Sequence, residues 1–151
     1  MREWGWVVVN LAWAPAILMA GVALAAWLAS WGRRGRSGAV AGACAEAFAW
    51  RGFMAASGLA LVLALVDAVV RQWGGQAGLN VWMAVVVQWL GTVVAGFSGR
   101  YLQGERGQLR YVAALAGVLA SVHGLLRADH WLVLIGAWAL VGWTLHPLLC
   151  F

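Results

Sequence analysis

Residues 80–99, Asn-Val-Trp-Met-Ala-Val-Val-Val-Gln-Trp-Leu-Gly-Thr-Val-Val-Ala-Gly-Phe-Ser-Gly, contain no charged side chain. A hydrocarbon core about 30 Å thick is crossed by about 20 residues of α-helix, so this stretch reads as a transmembrane helix. Four more apolar runs lie at 5–31, 52–70, 109–127 and 131–150, between clusters of arginine and turn-forming residues. The expected fold is an all-α integral membrane protein, a single domain of five transmembrane helices. The break between the last two runs, Arg127-Ala-Asp129-His130, is the shortest; if it were not a turn, the count would be four. A turn that short makes the fourth and fifth segments antiparallel neighbours.

Composition agrees. The chain of 151 residues is 64% hydrophobic and 10% charged, with a mean hydropathy of +0.83, whereas soluble domains average about 45–50% and about 25%. The segments use nearly the whole length and leave no room for a separate domain outside the membrane. All ten basic residues are arginine, so phosphate loops and Schiff-base catalysis that need a lysine are excluded.

Arginine placement predicts orientation, because cytoplasmic loops are enriched in basic residues. Arg33, Arg34, Arg36, Arg51, Arg100, Arg106 and Arg110 fall on one side and Arg2, Arg71 and Arg127 on the other. The N-terminus is therefore expected outside and the C-terminus in the cytoplasm. Trp4, Trp6, Trp73, Trp82 and Trp131 then mark the outer interface, and Trp27, Trp31, Trp50, Tyr101 and Tyr111 the inner one. Trp13, Trp89, Trp138 and Trp143 lie deeper, packed between helices or against lipid. The first segment is read as a retained helix, since its basic cluster follows the apolar run. Pro15 inside it is tolerable where neighbours satisfy the freed carbonyl. Residues 37–51, alanine-rich with Glu46 and Arg51, form either an interfacial helix or an extension of the second span. Cys44 and Cys150 match no metal or redox spacing and are expected as free thiols.

Lipid tails are as apolar as leucine, so helices associate through small residues and a few polar contacts. Ala113, Gly117 and Ser121, beside Ala116, Ala120 and Gly124, give the fourth helix a broad smooth face; Ala12, Ala16 and Ala20 do the same on the first. On the third, Gln88, Thr92, Ala95, Gly96 and Gly99 share a stripe, and an amide near mid-bilayer must face protein. Such faces on several helices, with twenty glycines in all, point to association with other membrane subunits or with further copies.

The ionisable residues gather at one level. Asp67, Arg71, His123 and Arg127, with Asn10, Asp129 and His130, fall near the outer ends of the spans, and the i,i+4 spacings put Asp67 with Arg71 and His123 with Arg127 on single helix faces. Intramembrane ionisable groups are functional candidates, although groups this close to the boundary also serve as interfacial anchors. A haem held by His123 and His146 is disfavoured, as about 18 Å separates them along the membrane normal; His123 with His130 is geometrically conceivable. No catalytic residue and no metal site is assigned, because Gly-x-Ser-x-Gly, His-Glu-x-x-His, Cys-x-x-Cys and paired carboxylates are all absent. The charge of +5 and pI of 10.6 follow from topology and anionic lipid, not nucleic acid.

The function expected from these features is a small non-catalytic packing subunit of a larger energy-transducing or transport complex of a bacterial inner membrane. The alternatives are a homo-oligomeric transporter or channel lined by Asp67, His123, Arg127 and Gln88, and an anchor or enzyme that uses haem or quinone. The topology is directly measurable: a phosphatase fused after Phe151 should be inactive and a fluorescent protein there active, with the reverse at the N-terminus.

Overall fold

Alanine, glycine and serine recur at alternating three- and four-residue steps along the central segments, and those rows decide which helix faces meet. The computed structural model describes residues 3–32, 39–75, 78–102 and 107–149, with side chains placed for 12–32, 46–75, 78–102 and 107–149. These residues form α1 (Glu3–Gly32), α2 (Ala39–Trp73), α3 (Leu79–Tyr101), α4 (Gln108–Leu126) and α5 (Trp131–Leu149). Each of the five is long and apolar enough to cross a membrane. The doubtful break is a real one: the amides of Arg127 and Ala128 close on the carbonyls of Gly124 and Leu125, and α5 starts at Trp131.

Residues 39–51 continue into α2 without interruption, so of the two expectations for the 37–51 segment the structure shows the extension. Residues 37 and 38 lie outside the described residues. Alanine is the strongest helix former, and the 35-residue helix that results is about 52 Å long, well beyond one bilayer core. Gly75, at φ +67°, ends the following turn, and Gly107, at φ +107°, precedes α4; both conformations strain any residue with a Cβ.

α4 is the hub. Among the described residues it touches all four other helices, while α3 touches α2 and α4, α1 touches α4 and α2, and α5 touches α4 alone. Its small residues explain this: half of α4 is buried, against 6% of α5. The buried row of α2 is Phe53, Ser57, Ala60, Ala64 and Asp67, and that of α3 is Val81, Ala84, Gln88, Gly91 and Ala95. These 3-4 spacings are those of left-handed helix bundles. Pro15 is buried within the bundle, which fits a proline whose freed carbonyl is shielded from lipid by its neighbours. The deep tryptophans do not share this burial: Trp13, Trp89, Trp138 and Trp143 are all exposed.

At one end of the α2–α3–α4 unit Trp50 stacks on Tyr111, with ring centroids 6.3 Å apart, and meets Phe53 edge-on at 6.0 Å. A Cβ at Gly99 would collide with this indole, which its two aromatic neighbours keep from yielding. Gly99→Ala is accordingly expected to cost about 1–3 kcal/mol. Gly58→Ala, where an added Cβ meets nothing within 4 Å, should be neutral or slightly stabilising. Unfolding midpoints in one detergent would show the contrast.

Candidate functional site

Three tiers of polar side chains lie along the interior of the α2–α3–α4 unit. The first is built on Asp67, only 1% exposed. Arg71, one turn later on α2, donates from Nε to Oδ1 at 2.9 Å, and Arg127 donates from Nη2 to Oδ2 at 2.7 Å. A carboxylate removed from water is costly unless it is paired and hydrogen-bonded. Here both oxygens are engaged by guanidinium groups, one from its own helix and one from the end of α4.

One turn along α4 from Arg127, His123 begins the second tier. Gln88, fully buried, donates from Nε2 to the carbonyl of Ser57 at 3.2 Å and to its hydroxyl at 3.1 Å. A backbone carbonyl can only accept, so the amide orientation is fixed and Oε1 faces His123 Nε2 at 2.9 Å. The imidazole must therefore carry its proton on Nε2. The hydroxyls complete the sequence: Thr92 donates to the carbonyl of Gln88 at 2.9 Å, so Ser57 donates to Thr92 across 2.8 Å. Every proton has one direction, from His123 through Gln88 and Ser57 to Thr92 and back to the α3 backbone.

The third tier is the 2.7 Å hydrogen bond between the Ser98 and Tyr111 hydroxyls, beside the aromatic cluster. From Arg127 to Tyr111 the tiers cover about 24 Å of α4. Among the described residues no buried side-chain nitrogen or oxygen lacks a partner.

The expected site residues divide into four groups. Asp67, Arg71 and Arg127 meet in one tier, and His123, Gln88 and Thr92 in the next. Asp129 and His130 are exposed in the turn between α4 and α5, beside a small recess of about 110 Å³, and no ion pair or hydrogen bond joins them to Asp67. The side chain of Asn10 lies outside the described residues. Gly117, Ser121 and Gly124 face elsewhere, onto a groove between α1 and α5; Ser121 returns its hydroxyl to the carbonyl of Gly117 at 2.8 Å. The residues that sequence reasoning missed are Ser57 and the pair Ser98 and Tyr111. The signal for Ser57 is its place in the same 3-4 row as Asp67. Tyr111 reads as an interfacial aromatic until its partner is known.

The groove is an apolar space of about 960 Å³. Its floor is α4, from Ala113 to Gly124, and its walls are α1, with Trp13, Trp27 and Trp31, and α5, with Trp143. Among the described residues no group of three or more histidine, cysteine, aspartate or glutamate side chains is placed to hold a metal ion. Comparison with protein-family models, curated proteins and solved structures finds no match.

Replacing Gln88 by leucine keeps the volume but removes the acceptor for His123 Nε2 and the donor to both the carbonyl and the hydroxyl of Ser57. A buried polar group left unsatisfied costs about 1–3 kcal/mol, so Gln88→Leu should lower stability by that amount. Asp67→Ala, which removes the buried carboxylate that Arg127 engages from α4, should cost about 3–5 kcal/mol. Chemical or thermal unfolding in micelles measures both.

Proposed function

We propose that the protein is a non-catalytic, multi-pass subunit that packs against a transmembrane helix of another protein within a larger membrane complex. We place it in a bacterial inner membrane with the N-terminus outside and the C-terminus in the cytoplasm, on the arginine distribution. The observation that carries this reading is the state of α5. It is held to α4 along a single stripe, Leu134, Ala137, Val141, Thr144 and Leu148. Its opposite face, with Leu132, Ile135, Ala139 and Gly142, is exposed.

Gly142 gives that face meaning. A helical glycine costs about 1 kcal/mol relative to alanine, and in a membrane its use is to let another backbone approach closely. Among the described residues nothing comes within 4 Å of a Cβ built at Gly142, so no described contact requires glycine there. The ionisable residues favour the same reading. Asp67, His123, Arg127 and Gln88, which a conduction pathway would have to present to a solute, are instead satisfied by one another, the arrangement of a structural core.

Gly142→Leu tests this directly. Since Gly142 lies on the exposed face of α5 and an added Cβ there meets nothing among the described residues, the variant should keep its expression level and unfolding midpoint but lose its co-purifying partners after mild-detergent extraction. An unchanged partner set by mass spectrometry would refute the assignment.

A further inference from the structure

The groove between α1 and α5 is separate from the outward face of α5, and its chemistry points to a different occupant. α1 and α5 each pack on α4 and, among the described residues, do not touch one another, so they stand apart as two walls. The floor is low because its side chains are small: Ala113, Gly117, Ala120 and Gly124. The space of about 960 Å³ is at the upper end of the roughly 300–1,000 Å³ typical of small-molecule pockets. A full helix about 10 Å across would sit in it only partly.

Charge decides between occupants. Among the residues lining the groove, Arg110 alone is charged, and it lies at one end, in the first turn of α4. The end of a spanning helix is at headgroup level, so the guanidinium stands where a lipid carries its phosphate. From Arg110 to Gly124 the floor extends about 21 Å, more than the roughly 15 Å that one leaflet's acyl chains occupy. Arg110 is exposed and forms no ion pair among the described residues. A guanidinium offers paired donors that match phosphate oxygens. A docked helix requires no cation at this mouth; a phosphate does.

We infer that the groove is a binding site for one anionic diacyl phospholipid, with its acyl chains along the α4 floor between the tryptophan-bearing walls and its phosphate on Arg110.

Native mass spectrometry of the full chain, released from nanodiscs containing equal amounts of phosphatidylglycerol and phosphatidylcholine, tests this. One phosphatidylglycerol per chain should be retained in preference to phosphatidylcholine. Arg110→Gln should lower that retention about tenfold, the scale of one lost charge-assisted contact. Ala20→Phe, which adds bulk to the groove from an exposed position on α1, should abolish retention of both lipids while the unfolding midpoint holds. Equal retention of the two lipids, or retention unaffected by both substitutions, overturns the inference. So does a disulfide from Ala20→Cys to a second copy or to another polypeptide in native membranes, since the groove would then hold a helix.

Discussion

A bilayer core has no water to offer a buried amide, carbonyl or charge, so each must find its partner within the protein. That constraint organises the α2–α3–α4 unit. The amide of Gln88 meets it by spanning three helices: it is anchored on α3, donates to Ser57 on α2 and accepts from His123 on α4. The carboxylate of Asp67 meets it by joining the ends of α2 and α4. Only small neighbours let the helices come close enough for such short side chains to reach across, so the alanine rows and the polar tiers depend on each other.

Apolar burial is a weaker organiser here than in a soluble domain, because an exposed leucine is as comfortable in lipid as in the core. The buried set reflects this. It is dominated by Ala12, Ala16, Ala26, Ala60, Ala64, Ala68, Ala84, Ala95 and Ala116, while the large residues Trp82, Trp89, Phe97 and Trp138 are exposed. The inside of the protein is rich in alanine, packed around a few larger residues such as Met19, Phe53, Leu115 and Leu119.

Helix number and position were legible in the sequence because they depend on a local property, the length of an apolar run. The interior placement of Gln88 was legible for a related reason: a mid-span amide has nowhere else to go. The pairing of Asp67 with Arg71 followed from i,i+4 spacing alone. The link from Asp67 to Arg127 was foreshadowed only as a shared depth, since neighbours across a bundle depend on helix rotation. Ser57 was hidden because a serine in an apolar run has the same composition signal whether it packs passively or closes a network. The continuity of residues 39–51 with α2 was left open, since charges such as Glu46 are compatible with a surface helix or with a span that projects past the headgroups.

The paired arrangement at Asp67 also bears on how the chain enters the membrane. α2 carries Asp67 and Arg71 one turn apart, so the segment can be handed from the translocation machinery to lipid as a locally neutral unit. Arg127 is synthesised sixty residues later and reaches Asp67 only when α4 has arrived. The first oxygen of the carboxylate thus has its donor within α2 itself, whereas the second gains its donor only when the hub helix packs beside it.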